Sequence, residues 1–267
     1  MSYVLIDRPR PGVALVTLNR PERMNAMAFD VMIPFREVLE ELSWDNEVRA
    51  VVVTGAGHGF CSGADLEDSG TVPRIAGLTP TSIARRALEL LDDVVLTMRR
   101  MHQPVIAAVN GAAIGGGFCL SLAADIRVAA PAAYFRAAGI NNGLTSCELG
   151  LSYLLPRAIG SSRAFEIMLT GRDVDATEAE RIGLVSRVVP AESLLDECYE
   201  LGARVMAFSR PGVEISKRML WSSLDAGSLH SHMDHEGHGQ LYVRLTTQNF
   251  EEAIRARKEK RAPVFRD

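Results

Sequence analysis

Long apolar runs are missing from this chain. No segment approaches about 18 consecutive apolar residues, so a membrane-spanning helix is not expected. Cysteine is sparse: Cys61, Cys119, Cys147 and Cys198 stand far apart, without the paired spacing of a zinc site, and structural disulfides are not expected. Charge is nearly balanced, the net being -4 at pH 7, which points away from nucleic acid and anionic membrane surfaces as partners. The opening residues, 1–8, lack a basic stretch leading into an apolar segment and a small-residue cleavage site. They read as a first strand rather than a secretory signal, and the cytoplasm is the expected location.

What remains is the composition of an ordinary globular protein. Hydrophobic residues make up 47% of the 267 positions and charged residues 23%, enough for a substantial core in one large domain or a core with a small appendage. Residues 13–18 follow a Pro-Gly turn and predict a strand paired with residues 3–7. Phe29, Met32, Phe35 and Leu39 recur at helical spacing over 28–42, with Pro34 inside. Residues 48–54, 104–109 and 126–129 predict buried strands. A loop is predicted over 68–80 and a helix over 82–101. From Gly160 onward helices dominate, at 161–169, 176–182 and 191–208. Strand-helix-strand alternation predicts an α/β fold with parallel sheets wrapped by helices.

Two segments carry most of the chemical information. Phe60-Cys61-Ser62-Gly63-Ala64-Asp65-Leu66 and Asn110-Gly111-Ala112-Ala113-Ile114-Gly115-Gly116-Gly117 each follow an apolar strand. Each places small residues where backbone can come close to something. One backbone N–H from each segment could converge on a single oxygen and stabilise negative charge there, as an oxyanion hole does. The plainer reading is that the glycines only permit tight helix-strand packing. Gly55-Ala56-Gly57-His58-Gly59 is not a dinucleotide fingerprint, because Phe60 stands where the third glycine is required. His58 reads as a solvated loop histidine. His230, His232, His235 and His238 lie close together, yet no cysteine or zinc-protease signature accompanies them, so no metal site is assigned.

The two segments belong to a longer series. Leu18-Asn19-Arg20-Pro21 and Met24-Asn25-Ala26 precede them. Leu154-Leu155-Pro156-Arg157, Leu169-Thr170-Gly171, Glu178-Ala179 to Gly183-Leu184-Val185, and Glu259-Lys260-Arg261 with Phe265 follow. In this order, over nearly the whole chain, they resemble the enoyl-CoA hydratase/isomerase (crotonase) superfamily. The resemblance implies a spiral of β-β-α turns over 1–200 and a C-terminal helical region over 201–267 that mediates a homo-trimer or dimer of trimers. It implies an enzyme acting on an acyl-CoA thioester, with coenzyme A entering as part of the substrate and no separate cofactor. It implies Ala64 and Gly116 as the oxyanion donors. Arg23, Met24, Ser62, Asp65 and Leu66 fall at positions that line coenzyme A, and Lys260 matches a lysine that approaches its phosphates, often from a neighbouring subunit. Arg257 departs from the pattern, standing where hydratases usually carry an aromatic residue.

The acids decide between reactions. Hydration requires an activated water and a proton delivered to the α-carbon, and hydratases of the family use two glutamates for this. The corresponding positions here are Cys119 and Gly139. Glu148 resembles the single catalytic acid of isomerase members, provided that one extra residue is allowed between Gly143 and Glu148. The expected reaction is therefore conversion of a 3-enoyl-CoA to a 2-enoyl-CoA, with Glu148 moving the proton. The other reading of Glu148 is a helix-start glutamate favoured by the macrodipole. Cys119 reads as a small buried hydrophobe rather than a nucleophile. Two rival functions stay open: a 2-enoyl-CoA hydratase of fatty-acid β-oxidation, with Asn141 or Asn142 holding water, and a non-catalytic acyl-CoA-binding protein.

Overall fold

The computed structural model describes residues 2–266. Strands β1 (Val4–Arg10) and β2 (Val13–Leu18) form an antiparallel pair, as the Pro-Gly turn requires. β1 is an exposed edge whose Asp7, Arg8 and Arg10 oppose further pairing. Helix α1 (Phe29–Trp44) buries Val31, Met32, Phe35, Leu39 and Leu42, and it runs through Pro34 rather than ending there. A wholly buried β3 (Ala50–Gly55) leads to β4 (Gly59–Cys61). Residues 68–79 carry no helix or strand, and α2 (Pro80–Arg100) then begins with the Thr79 hydroxyl accepting from Ser82 N–H.

Next come β5 (Val105–Val109), β6 (Ala112–Ile114), α3 (Gly116–Ala123), β7 (Ile126–Ala129) and β8 (Tyr134–Arg136). They are followed by α4 (Leu151–Ile159), α5 (Ser161–Thr170), β9 (Asp173–Asp175), α6 (Ala176–Arg181) and β10 (Arg187–Val188). Helix α7 (Leu194–Met206) precedes α8 (Arg210–Ser223), α9 (Leu229–Thr246) and α10 (Asn249–Glu259).

These strands build two sheets. The first has the order β1-β2-β3-β5-β7-β10 and is parallel apart from β1; the second is β4-β6-β8-β9, with β9 antiparallel. Each β-β-α turn gives one strand to each sheet: β3 and β4, β5 and β6, β7 and β8. This is the crotonase-type α/β spiral. Side chains alternate along the larger sheet. Val51, Val53, Val105, Ala107 and Val109 enter the main core, whereas Val52, Ile106, Ala108 and Val128 face Leu194, Cys198 and Tyr199 of α7. Burial on both faces explains why β3 and β5 are continuous apolar runs. α7 runs unbroken across position 200, where one expected region was to give way to the other; Met1 and Asp267, the outer limits of the two expected regions, lie outside the described residues.

One buried polar node fastens α8 to the spiral. Lys217 of α8 donates to the carbonyls of Met98 at 3.0 Å and Gln103 at 2.8 Å, and pairs with Asp125 at 2.9 Å. Asp125 also accepts from Val105 N–H and from the Trp221 indole, each at 2.6 Å. Burial pushes the Lys217 ammonium below its ordinary pKa, while the Asp125 charge opposes that shift. Removing one member of such a pair leaves an uncompensated buried charge. Lys217→Met is therefore expected to cost about 3–5 kcal/mol, measured by urea unfolding followed through tryptophan fluorescence.

Candidate active site

Strand β4 and the turn after it meet the β6–α3 junction. Met27 N–H donates to Gly63 O at 2.7 Å, and Asp65 N–H donates to Met27 O at 3.1 Å, so Ala64 is held between two hydrogen bonds to one residue. A trans peptide points its carbonyl and N–H in opposite directions. With Gly63 O turned to Met27, the Ala64 N–H faces the other way, at an exposed residue, and no described group accepts from it. Gly116 is the first residue of α3, where a backbone N–H has no intrahelical acceptor. It too donates to no described group.

The closeness of the two segments depends on missing side chains. A Cβ on Gly63 would lie 2.6 Å from Ile114 O and 3.3 Å from Gly116 N, and one on Gly116 would overlap the Met27 thioether. Two free donors on neighbouring rigid segments, one at a helix N-terminus, can hold negative charge on a thioester oxygen.

Glu148 reaches the same place from another element. A Cβ on Gly115 would lie 3.3 Å from Glu148 Oε1. Leu149 and Gly150 are left-handed, at φ 44° and 81°, and α4 starts only at Leu151. Glu148 is thus outside the first helical turn, and the helix-start reading is not supported. Its carboxyl is half-buried, and among the described residues no cation is paired with it. Burial raises its pKa above the ordinary glutamate value.

The two hydratase-acid positions have different fates. Cys119 is fully buried, and its thiol lies 3.3 Å from Gly115 O and 3.5 Å from Glu148 O. Burial, then the Glu148 charge, pushes the thiol pKa well up, so it is a neutral donor and no nucleophile. Gly139 is closed off by the chain itself: a Cβ there would overlap Thr145 O. The loop is pinned in this shape by Leu144 N–H on Gly139 O at 2.9 Å and by the Ser146 hydroxyl on Met168 O at 2.6 Å.

Around the coenzyme A positions the side chains are tied to one another. Asp65 accepts from Arg23 at 2.6 Å, pairs with Arg20 at 3.0 Å, and accepts from the backbone N–H groups of Glu67 and Asp68. The Arg23 guanidinium, with the Asp68 amide next, holds this carboxyl well below the usual carboxylate range. Arg23 also pairs with Glu67. The Ser62 hydroxyl donates to Arg23 O at 3.3 Å, while Met24 and Leu66 are exposed, Leu66 by 79%. These five residues are brought together; Lys260, the left-handed C-cap of α10, shares no hydrogen bond or ion pair with them. Sequence reasoning missed Asn25 and Asn110 as positioning groups. Asn25 donates to Ala56 O and Gly59 O, and Asn110 to Gly55 O and Gly57 O. Their place in the Met-Asn-Ala and Asn-Gly turns was the available signal.

Other candidates fall outside the site. His58 is exposed on its loop, and Asn141 donates to Gly171 O. Among the described residues no three His, Cys, Asp or Glu side chains are arranged to hold a metal ion. His232 is buried beside Glu236, whereas His230 lies near Asp234. Gly139→Ala is expected to cost about 1–3 kcal/mol by overpacking against Thr145 O, measured by denaturant unfolding. Gly139→Glu is expected to yield no addition of water to a 2-enoyl-CoA, by mass-resolved assay.

Comparison with known proteins agrees with this architecture. A model described as enoyl-CoA hydratase/isomerase matches residues 8–267. A Mycobacterium tuberculosis protein named "probable enoyl-CoA hydratase" is 69% identical over 267 residues, covering 100% of this chain and 94% of that one. The crystal structure of a "probable enoyl-CoA hydratase/isomerase" from Mycobacterium abscessus has a TM-score of 0.96 and 71% identity, covering 100% of this chain and 99% of the other. A "monofunctional enoyl CoA isomerase" from M. smegmatis has a TM-score of 0.75 and 63% identity, over 87% of this chain and 99% of the other. On its motifs, its spiral and these matches across its length, the chain belongs to the enoyl-CoA hydratase/isomerase family of crotonase-superfamily enzymes.

Proposed function

We propose that the protein isomerises a 3-enoyl-CoA to the 2-enoyl-CoA through a dienolate. The observation that carries this reading is one carboxylate, Glu148, beside the Gly115–Gly116 peptide, with a buried thiol and a closed glycine where hydration needs its two acids. The ionised Glu148 takes a proton from the α-carbon. Electrons move toward the thioester oxygen, which receives the Ala64 and Gly116 N–H groups. Glu148, now protonated, returns the proton to the γ-carbon, and the double bond has moved with no change in mass. Losing one such oxyanion donor costs roughly 3–4 kcal/mol of transition-state stabilisation. The raised Glu148 pKa suits a group that must both accept and release a proton.

Coenzyme A enters with the substrate, and no separate cofactor is invoked. Arg23, Met24, Ser62, Asp65 and Leu66 form its proposed berth. Because Arg20 and Arg23 already occupy the Asp65 carboxylate, Asp65 serves by shaping the turn that presents its neighbours. The proposed setting is the cytoplasm; no helix of the described residues is long and apolar enough to cross a membrane.

A hydratase is the second reading, favoured by the names of several relatives. Matched 2-enoyl- and 3-enoyl-CoA esters, assayed by mass and absorbance, separate the two. The expected result is conversion of the 3-enoyl ester without mass change, reduced at least about 100-fold in Glu148→Gln. Activity should rise with pH as Glu148 ionises, on a limb lying above the ordinary glutamate range and absent from the variant's residual rate. Addition of water, or unchanged turnover in Glu148→Gln, overturns the assignment.

We extend the proposal to assembly. α8 and α9 leave a groove of about 620 Å³ between them, lined in part by Ile215, Met219 and Val243. Leu220, Leu229, Met233, Leu241, Leu245 and Phe250 of α8–α10 are exposed. Apolar exposure on this scale marks a contact surface, and a trimer or dimer of trimers would cover it and carry Lys260 toward a neighbour's nucleotide. Light scattering coupled to gel filtration should give three or six times the chain mass; a monomer at micromolar concentration overturns this.

A further inference from the structure

We infer that Cys119 is a positioning residue for the oxyanion donor Gly116, acting through the Gly115–Gly116 peptide. The inference rests on the oxyanion reading above and adds to it a role for the side chain at 119. The Gly116 N–H and the Gly115 carbonyl are opposite ends of one peptide unit. That carbonyl accepts from Cys119 N–H at 3.1 Å and lies 3.3 Å from the Cys119 thiol. Two donors at the carbonyl end fix the plane in which the N–H points. They also polarise the amide, so its N–H binds negative charge more strongly.

The arrangement parallels that at the other donor. There the Gly63 carbonyl, at the far end of the Ala64 N–H peptide, accepts from Met27 N–H at 2.7 Å. Both oxyanion donors are therefore backed by a hydrogen bond on the reverse side of their own peptide, and at Gly116 a side chain supplies part of it.

A thiol bonding back to the carbonyl four residues earlier is also an ordinary local feature of helices. Two points take Cys119 beyond that. The carbonyl it meets belongs to the peptide that carries the free Gly116 N–H. The same sulfur lies 3.5 Å from Glu148 O, so one buried side chain touches both the oxyanion segment and the backbone of the proton shuttle. The thiol remains protonated, as a donor must, since burial opposes its ionisation.

The decisive measurement is difference infrared spectroscopy of the full-length protein with bound hexanoyl-CoA, ¹³C-labelled at the thioester carbonyl. In wild type the carbonyl stretch should fall relative to the free ester. In Cys119→Ala it should move back toward the free value, with kcat on the 3-enoyl ester lowered about two- to eightfold and KM unchanged, the effect of a 10–30% weaker donor. Cys119→Ser, which restores a donor, should recover both. If Cys119→Ala does not fold, Cys119→Val fills the volume without donating and carries the same expectation. A stretch identical to wild type in the donor-free variant overturns the inference, whatever happens to turnover. A wild-type stretch equal to that of the free ester overturns the oxyanion reading and this inference together. Glu148→Gln separates the remaining case: its stretch should match wild type even if its turnover result removes the proposed shuttle.

Discussion

The site depends on two backbone segments approaching with no room for a methyl group. Gly63 lies against Ile114 and Gly116, and Gly116 lies against Met27. The approach of Gly63 to Ile114 and Gly116 is backbone against backbone, while Gly116 meets the Met27 thioether. The surrounding structure must deliver the backbone accurately, and the parallel strands do so. β3 and β5 are buried on both faces, and each passes the chain directly into a short strand of the second sheet. Asn25 and Asn110 then bind the carbonyls of the 55–59 turn from two sides. Burial supplies rigidity, and hydrogen bonds set orientation.

Two carboxylates near this junction show how environment assigns roles. Asp65 is met by Arg23, Arg20 and two backbone N–H groups, which favour its charged form so strongly that it has no useful proton affinity near neutral pH. Glu148 is partly buried, without a paired cation among the described residues, and burial raises its proton affinity. The first can only shape a turn. The second can exchange a proton with a carbon acid once the resulting negative charge is held on the neighbouring oxygen. Opposite shifts of like groups are a physical basis for dividing structural from chemical roles.

Much of this was legible in the chain because its causes are local. Alternation and apolar runs located β2, β3, β5 and β7, and helical spacing located α1 and α2 despite Pro34. The second sheet was not legible. β4, β6, β8 and β9 are three residues long, too short to show a period, and become strands only by pairing with one another in the folded chain. The glycine motifs announced a backbone site, but the reason for Gly139 lies in Thr145 O, which only the folded loop brings there. The helix-start reading of Glu148 failed for a similar reason: left-handed Leu149 and Gly150 separate it from α4. Charge pairing across 40 or more residues, such as Arg23 with Asp65, leaves no periodic trace in a sequence.

Having Cys119 and Gly139 where the resemblance places the two hydratase acids has an electrostatic consequence. A carboxylate at 119 would stand beside Gly115 O and Glu148, in a buried place where like charges interact strongly. It would raise the proton affinity of Glu148 further and couple the two titrations, making it harder for Glu148 to begin the cycle ionised. It would also oppose the negative charge that the proposed reaction develops near Gly116. A neutral thiol avoids both effects and still offers a donor to the Gly115 carbonyl. The closed glycine at 139 likewise leaves no side chain to hold a water on the opposite face. In the proposed reaction, an enolate formed in such a site would have Glu148, the acid that formed it, as its nearby proton source, and returning the proton to a different carbon would be the route forward.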